Sequence, residues 1–346
     1  MSAPAYSRPA PESNQGVLLA RRLLPPVLRE WVERLGGELA TVCGYQLGLC
    51  DDRGKPTGGV GGKLLRPAFT LLCGAATGAR PADVVPAGAA IELLHNASLI
   101  HDDIMDGDRE RRHRPTVWAR FGEATAILAG DALIALGFEV LAAQRHAATA
   151  RSVEVLAKTL RLLARGQELD LRFESEARVS VDECLTMMTG KTGVLLGCAC
   201  RLGAAHSGAP AEWAVRFERF GVHLGVAFQL ADDLLGIWGD PAVTGKPVGA
   251  DLLARKKSAP VAAALSAGTT GSARIAALYA RPGQLTGAEV DQLTELIEEA
   301  GGRDWTIAEA DRQVSAAWDL IDGLDLDGPA RSSLATLTGT LLNRDH

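Results

Sequence analysis

The sequence predicts an all-α fold, a single large helical bundle domain with more than ten helices. An apolar series at three- and four-residue spacing marks a first amphipathic helix, and it comprises Leu19, Leu23, Val27, Leu28 and Trp31. No convincing run alternates apolar and polar residues as a half-buried strand would. Because 47% of the residues are hydrophobic but only 5% aromatic, we expect a core of leucine, alanine and valine in which helices pack closely.

Further segments rich in leucine and alanine mark the later helices. They lie at about 64–77, 83–105, 123–146, 150–174, 181–203, 211–238, 251–266, 272–280, 287–300, 305–322 and 328–341. Two of the helix starts have the spacing of a capping box, Ser180 with Glu183 and Thr286 with Glu289. Residues 1–15 are rich in Ser, Pro and Ala and are typical of a disordered tail, so we expect one helical domain over residues 16–346.

Composition and charge argue against several classes of protein. The formal net charge of −6 disfavours attraction to nucleic acid or to an anionic membrane. No uncharged apolar stretch reaches the roughly 18 residues that a transmembrane segment needs, and the N-terminus lacks the pattern of a signal peptide. The six cysteines are scattered, without a CxxC pair or zinc-ligand spacing, which predicts reduced thiols and a cytoplasmic location.

The end of the predicted helix 83–105 carries an acidic cluster. At about 100° per residue, His95, Asp102 and Asp106 fall in a narrow sector of one helix face, and Asp103 flanks it. Three carboxylates within about one turn repel one another, and near a helix C-terminus they oppose the macrodipole. Magnesium would compensate this charge, because it binds through one or two carboxylates plus substrate phosphates. A solvated acidic surface patch is the alternative interpretation of this stretch taken alone.

A second apolar helix, 211–238, ends in a similar way. Gln229, Asp232 and Asp233 emerge near its end, after a stripe of apolar residues. Two helices that each finish in paired aspartates can face each other across a central cavity and hold a metal–diphosphate cluster. The pairing therefore favours a metal site over a surface patch.

Basic residues recur beside the acidic clusters. Lys63 and Arg66 follow the glycine-rich segment 58–62, at a spacing that shares one helix face near its start, where free N–H groups favour anions. Each such cation alone is typical of a solvated surface. Diphosphates need cations in addition to a metal, however, and the other candidates are Arg111, Arg112, Lys191, Lys246 and Lys256.

Together these motifs resemble those of the trans-isoprenyl (polyprenyl) diphosphate synthases, the family that includes farnesyl, geranylgeranyl and longer-chain enzymes. The matching elements keep the family's order from about residue 60 to 260. They are GKLLRP at 62–67, LHNASLIHDDIMD at 94–106, Arg111-Arg112 before Pro115-Thr116, GQELD at 166–170, Lys191-Thr192, FQLADD at 228–233, and Gly245-Lys246 through Lys256. The resemblance implies a helical domain of the isoprenoid synthase type around a central cavity.

The resemblance also implies roles for individual residues. Three Mg²⁺ ions, held with the allylic diphosphate, would be bound by Asp102, Asp106 and Asp232, supported by Asp103 and Asp233. The same diphosphate would be contacted by Arg111, Lys191, Lys246 and Lys256. The isopentenyl diphosphate site would consist of Lys63, Arg66, His95 and Arg112. Orienting roles would belong to Thr192, Gln229, Gln167 and Asp170.

Two positions depart from the usual family pattern. Leu64 stands where many members have arginine, which leaves Lys63 and Arg66 as the only cations of the first basic motif. Gly236 replaces the last aspartate of the second acidic motif, Asp232-Asp-Leu-Leu-Gly236. We expect this second loss to be tolerated, because Asp232 is the main inferred ligand there.

The implied reaction is a magnesium-dependent head-to-tail condensation of isopentenyl diphosphate with an allylic prenyl diphosphate, giving a longer all-trans prenyl diphosphate and diphosphate. Metal and basic residues would stabilise the charge that grows on the departing diphosphate. The allylic cation would then be attacked by the double bond of isopentenyl diphosphate, held nearby in its own basic site. Released diphosphate would take up the final proton, so no side-chain base is required.

Product length is expected to depend on the residues that precede the first acidic cluster. Ala97 and Ser98 are small, and Leu94 lies about one turn deeper. In the resembling family an aromatic residue near Ala97 tends to stop chain growth early. Its absence predicts a geranylgeranyl or longer product, with twenty carbons as the best estimate.

Two other functions share these features. A class I terpene cyclase also ionises an allylic diphosphate with magnesium, but it needs no second diphosphate site, and Lys63, Arg66, His95 and Arg112 therefore favour prenyl transfer. A non-catalytic subunit that modulates another prenyl synthase could lose metal ligands, and Gly236 keeps this alternative open. The resemblance further implies a homodimer.

Overall fold

The computed structural model describes residues 14–240 and 248–342, and these residues are mostly helical. The helices are α1 Gln15–Glu33, α2 Gly37–Leu47, α3 Leu65–Ala76, α4 Pro81–Met105, α5 Val117–Phe121, α6 Glu123–Ala142, α7 Thr149–Ser175, α8 Val181–Met188, α9 Val194–Ala205, α10 Ala211–Trp238, α11 Ala250–Leu253, α12 Ala259–Ser266, α13 Thr270–Ala280, α14 Gly287–Glu299, α15 Gly302–Ile321 and α16 Gly328–Leu342. Within the described ranges, the strands β1 Glu110–Arg111 and β2 Arg114–Pro115 form the only ribbon, and it is antiparallel. The prediction of an all-α fold with more than ten helices is confirmed.

Packing divides the chain into two compact units. The first comprises Met1–Lys158, Cys198–Phe217 and Gly323–Thr340, and the second comprises Thr159–Gly197, Glu218–Asp322 and Leu341–His346. The single domain expected over residues 16–346 stays a prediction. Most of the expected N-terminal tail lies outside the described residues, although Asn14 caps α1 by accepting hydrogen bonds from the N–H groups of Gly16 and Val17.

The first unit is organised around α4, which packs against α3 and α6. Small residues permit this close packing. A Cβ atom at Gly137 of α6 would lie 3.4 Å from the carbonyl oxygen of Ala90, and one at Gly130 would lie 2.1 Å from Nε2 of His101. Helix α4 is thereby fixed along most of its length, which fixes the direction of its C-terminal acidic cluster.

The second unit contains two apolar clusters. One surrounds Met188 and Leu230, and the other surrounds Ile237 and Leu293, all of them fully buried. Both clusters include residues of α10, Leu230 in the first and Ile237 in the second. The segment of α10 that carries Asp232 and Asp233 is therefore held by buried apolar contacts on both sides, at Leu230 and at Ile237.

Most predicted helix positions agree with the structure, and both predicted capping boxes are present, at Ser180 and at Thr286. The segment 181–203 is interrupted by a turn of π-helix over Thr189–Gly193. The segment 251–266 forms two helices, because Arg255 adopts a left-handed backbone (φ 52°) and Ser258 starts a new helix with proline in its first turn. Helices α2 and α5 and the ribbon were not predicted.

Two helices, Glu123–Ala142 and Ala211–Trp238, are long and apolar enough to cross a membrane by length and composition alone. In their most apolar stretches, 44% and 56% of the residues are buried inside the protein. Core helices of water-soluble proteins have the same length and composition, so the absence of a transmembrane segment stays a prediction. All six cysteines are buried and free, as expected.

Candidate active site

The first acidic cluster lies at the C-terminal end of α4. Asp106 is the C-cap residue, and its N–H donates to the carbonyl oxygen of Asp102 over 2.8 Å. Asp103 is buried, Asp102 is half-buried and Asp106 is exposed. The carboxylates thus gather at the negative end of the helix dipole, where nearby positive charge stabilises them.

Asp103 receives part of that charge from Arg111. Its side chain is only 1% exposed, and Oδ1 accepts a hydrogen bond from Nε of Arg111 over 2.6 Å. Burial raises the pKa of Asp103, and the Arg111 guanidinium opposes that rise. Removing Arg111 would leave a buried carboxylate without its cation, which is among the costlier changes in a protein.

The ribbon places Arg111 against Asp103 of this cluster and carries Arg112 in its turn. Arg111 pairs with Arg114 across the strands, and the two residues between them, Arg112 and His113, both have positive φ (54° and 59°). This pattern defines a two-residue turn that normally favours Asn and Gly. An arginine in this unfavourable conformation is held there by its surroundings, as residues at functional sites often are.

Arg112 lies against the glycine-rich loop. A Cβ atom at Gly62 would be 2.6 Å from a terminal nitrogen of Arg112, and Gly62 itself has a φ of 82°. Glycine adopts this backbone conformation without strain and leaves room for the guanidinium group. The loop 58–62 and the ribbon are therefore brought together around one guanidinium group.

Arg66 and His95 form a second basic contact in this unit. Nη1 of Arg66 lies 3.1 Å from Nε2 of His95. Burial lowers the pKa of His95 well below its ordinary value, and the nearby Arg66, Arg112 and Arg111 lower it further. His95 is therefore neutral near pH 7, and its ring can accept a hydrogen bond from Arg66.

Glu92 lies near Arg66 and Arg112, and the sequence analysis did not identify it. It is 5% exposed, and its carboxylate accepts a hydrogen bond from Asn96 over 2.9 Å. Burial raises the pKa of Glu92, while Arg66 and Arg112 oppose the rise. The available signal was an acidic residue in the middle of an apolar helix, one turn before His95.

The structure explains one departure from the family pattern. Leu64 is only 3% exposed and adopts a left-handed backbone at the start of α3, whereas Lys63 is exposed and Arg66 is half-buried. Position 64 therefore belongs to the core of the first unit. Its lack of a positive charge leaves Lys63 and Arg66 as the solvent-accessible cations of this motif.

In the second unit, Asp233 is the centre of a hydrogen-bonded network. It is 1% exposed, and its Oδ1 accepts from Nε2 of Gln229 over 3.2 Å and lies 3.4 Å from Nζ of Lys256. Oδ2 accepts from the N–H of Ala259 over 2.9 Å. Gln229 also accepts from the hydroxyl of Thr192 over 3.1 Å. Asp233 is thus fixed internally, while its neighbour Asp232 is half-buried on α10.

Lys191 lies in the π-helical turn and forms an ion pair with Asp170. The turn packs directly on α7, because a Cβ atom at Gly166 would be 2.2 Å from the backbone nitrogen of Lys191. Gln167 is 7% exposed, and its Nε2 meets no acceptor among the described residues. Turns of π-helix are frequent at functional sites.

The donor chemistry of the acidic residues suits magnesium. In the described part of the chain, no group of three or more His, Cys, Asp or Glu side chains is arranged to hold a metal by itself. Oδ2 of Asp103 is buried and accepts no hydrogen bond from the described residues. Carboxylate oxygens of this kind fit a hard cation that takes its remaining ligands from phosphate and water.

The other predicted residues are placed as follows. Ala97 and Leu94 are fully buried in the first unit, and Ser98 is half-buried, with its hydroxyl donating to the carbonyl oxygen of His95 over 2.8 Å. Asp232, Thr192, Gln229 and Lys256 lie in the second unit. Lys246 lies outside the described residues.

Comparison with known proteins is consistent with these features. Residues 56–297 match the family described as polyprenyl synthetase. The chain is 41% identical over 329 residues to a (2E,6E)-farnesyl diphosphate synthase of Mycobacterium tuberculosis, covering 94% of this chain and 92% of that protein. It is 43% identical over 299 residues to a geranylgeranyl diphosphate synthase of the same organism, covering 86% and 85%.

A solved structure agrees with the assignment. The crystal structure of a polyprenyl synthetase from Streptomyces coelicolor A3(2) superimposes with a TM-score of 0.89 at 45% identity, covering 95% of this chain and 99% of that one. Both the sequence and the fold lead to the same conclusion. The chain belongs to the polyprenyl synthetase family and is a prenyltransferase of isoprenoid biosynthesis.

Proposed function

We propose that this prenyltransferase condenses isopentenyl diphosphate with an allylic prenyl diphosphate in a magnesium-dependent reaction, and that its product is geranylgeranyl diphosphate. The observation that carries the proposal is that the first unit holds two neighbouring sets of charged groups. One set joins Asp103 to Arg111 beside Asp102 and Asp106. The other joins Arg66 to His95, with Arg112 against the glycine loop.

Two sets of this kind suit two diphosphates. Asp102 and Asp106 of the first unit would hold Mg²⁺ with the allylic diphosphate, and when bound the metal would stabilise negative charge on the departing group. Asp232 of the second unit stays a ligand implied by the sequence resemblance. Arg111 would neutralise the same diphosphate, and Lys191 and Lys256 of the second unit stay diphosphate contacts implied by the sequence resemblance. Lys63, Arg66 and Arg112 would orient isopentenyl diphosphate so that its double bond meets the allylic carbon.

The neutral state of His95 fits this division. A neutral imidazole can hydrogen-bond to Arg66 without competing for the anion, whereas an imidazolium would add charge that burial disfavours. A terpene cyclase has no use for a second diphosphate site of this kind. The net charge of −6 further supports an enzyme without a nucleic-acid partner.

A product assay tests the activity. Purified full-length chain would be incubated with Mg²⁺, isopentenyl diphosphate and allylic starters of five, ten or fifteen carbons, and the products would be identified by mass. We expect a twenty-carbon diphosphate from each starter. A hydrocarbon formed without consumption of isopentenyl diphosphate would indicate a cyclase, and no turnover by the chain alone would indicate a modulating subunit.

Product length has its own test at Ser98. This half-buried residue precedes Asp102 by one helical turn on the same face of α4, and its small side chain leaves room below the acidic cluster. We expect Ser98→Phe to shorten the main product to ten or fifteen carbons. Ser98→Ala, which removes the hydroxyl without adding bulk, should keep the wild-type product. Unchanged products from Ser98→Phe, or a wild-type product of only fifteen carbons, would contradict the proposal.

We also propose that the enzyme is a homodimer in which a second copy covers the exposed side of α6. Ile127 and Leu128 on that side are 44% and 61% exposed, although the helix is apolar. Two adjacent large apolar side chains that are exposed together support an interaction site there.

A further inference from the structure

The loop between α11 and α12 carries Lys256, and we call its residues 254–258 the lysine loop. Within it, Arg255 adopts a left-handed backbone with a φ of 52°. This conformation is unfavourable for a residue with a side chain, and it persists where the surrounding structure determines it. The shape of the lysine loop is therefore set by its contacts with other parts of the second unit.

Two contacts hold the lysine loop on either side of Lys256. Nη2 of Arg255 donates a hydrogen bond to the carbonyl oxygen of Gly283 over 2.8 Å. The buried thiol of Cys184 donates to the carbonyl oxygen of Lys257 over 3.2 Å. Both neighbours of Lys256 are thus tied to other elements of the chain, and a third contact reaches Lys256 itself.

That contact comes from Tyr279, near the end of α13. Its hydroxyl donates a hydrogen bond to the carbonyl oxygen of Lys256 over 3.2 Å. Its ring packs against the apolar cluster around Ile237 and Leu293, so the hydroxyl is held in one place. Burial raises the pKa of Tyr279, and the hydroxyl therefore remains protonated and able to donate.

The side chain of Lys256 has its own contact with the acidic pair of α10. Its Nζ lies 3.4 Å from Oδ1 of Asp233, and this carboxylate raises the pKa of Lys256, which keeps the ammonium charged. Because lysine has a flexible stem of four carbons, the direction of its ammonium depends on where its backbone is held. Tyr279 holds the backbone, and Asp233 attracts the charge at the other end.

We propose that Tyr279 is a positioning residue for diphosphate binding: its hydroxyl holds the backbone of Lys256 in place so that the ammonium can reach the allylic diphosphate. This inference rests on the proposed function, because the sequence resemblance assigns that contact to Lys256. Tyr279 itself lies beyond the family motifs, which end at Lys256. Without the hydroxyl, the carbonyl of Lys256 loses this hydrogen bond, and the lysine loop can move the ammonium away from the diphosphate.

A double-mutant cycle between Tyr279 and Lys256 tests the proposal. Calorimetry would measure the binding of inorganic diphosphate to the full-length chain in the presence of Mg²⁺, without turnover. We expect Tyr279→Phe, which keeps the ring, to weaken binding about fivefold, and Lys256→Gln to weaken it at least about tenfold. The double variant should match Lys256→Gln within about twofold, since the hydroxyl acts only through this lysine.

Thr186→Val is the matched control. The hydroxyl of Thr186 also donates to a backbone carbonyl, that of Asp182 over 2.8 Å, and the residue is exposed on α8 of the same unit. Its titration should equal that of wild type. A structural role of Tyr279 that does not involve Lys256 predicts that the effects of the two single variants multiply in the double variant.

Three results would overturn the inference: a Tyr279→Phe or a Lys256→Gln protein that titrates like wild type, or effects that multiply in the double variant. The product assay of the wild-type chain is independent of all three. A chain that forms no prenyl diphosphate but gives the expected cycle would refute the proposed function and retain the role of Tyr279. A wild type that binds no diphosphate with Mg²⁺ would refute the role of Tyr279 whatever its products.

Discussion

His95 shows how a half-buried residue can be kept in one protonation state by its neighbours. Burial disfavours its charged form, and three arginines make a further positive charge still less favourable. The imidazole is thus available as a neutral hydrogen-bonding group beside Arg66. Because the folded protein keeps His95 neutral, its stability falls when the solution becomes acidic.

We predict that His95→Gln reduces the loss of stability on acidification. Below the ordinary histidine pKa of 6.5, the unfolded chain binds a proton at His95 that the folded chain does not bind, so wild-type stability falls as the pH is lowered. Between pH 6.5 and 5.5 this contribution is about 1 kcal/mol. Glutamine cannot titrate, so the variant should lack it.

Urea unfolding of both proteins at pH 7.5, 6.5 and 5.5 measures the difference. The pKa of His206 is also lowered by burial, and those of Glu92 and Asp103 are raised, but these groups are present in both proteins and largely cancel. Parallel pH dependences for wild type and variant would show that His95 is not held neutral.

At the scale of secondary structure, the contact between α7 and the π-helical turn is the tightest constraint on a proposed site residue. Gly166 approaches the backbone of Gly190 and Lys191 so closely that a methyl group would lie 2.2 Å from a nitrogen. Backbone atoms cannot move aside as a flexible side chain can. The position of Lys191 therefore depends on glycine at 166.

We predict that Gly166→Ala separates the turn from α7. Overpacking of this kind costs about 1–3 kcal/mol, and displacement of Lys191 should lower kcat by at least about tenfold. Gly339→Ala is the matched control, because Gly339 also lies within a helix and has no atom within 4 Å of the added methyl group. It should stabilise the protein by roughly 0.5–1 kcal/mol. Denaturant unfolding and steady-state kinetics would measure both, and equal behaviour of the two variants would refute the constraint.

The same elements show what a sequence pattern can and cannot predict. Helix 211–238 was predicted to the residue, because its apolar stripe is long and regular. The π-helical turn was not, because it arises from tertiary contact with Gly166. The ribbon was missed because Arg112 and His113 are poor residues for its turn, and packing against Gly62 overrides that preference.

The candidate site likewise contains residues that the sequence predicts and contacts that it does not. The motif residues, such as Asp102 and Asp232, could be named from spacing and from the resemblance. Their supporting contacts could not. The approach of Asp251 to Gly236 joins two different helices. The pKa of Glu92 depends on its burial and on the nearby Arg66 and Arg112. Such contacts depend on packing that no local pattern encodes.

At the scale of the whole molecule, α6 exposes two large apolar side chains beside the acidic residues of its solvent side, such as Asp131. Leu133 and Leu136 are buried within the first unit, whereas Ile127 and Leu128 remain exposed. Large apolar side chains that stay uncovered together on a surface helix indicate an interaction site. The exposed side therefore fits an interface, and large, apolar interfaces are typical of permanent homodimers.

We predict that Leu128→Arg converts the proposed dimer to a monomer. A charge buried without a partner at an apolar interface costs several kcal/mol, which raises the dissociation constant by at least about 100-fold. Leu18→Arg is the matched control, because Leu18 is a similarly exposed leucine, at 51%, on α1 of the same unit. Sedimentation equilibrium should give twice the chain mass of 36.4 kDa for wild type and for the control, and the chain mass for Leu128→Arg. If wild type itself sediments as a monomer, the exposed side of α6 is not covered by a second copy. If both variants remain dimeric, the two copies meet elsewhere.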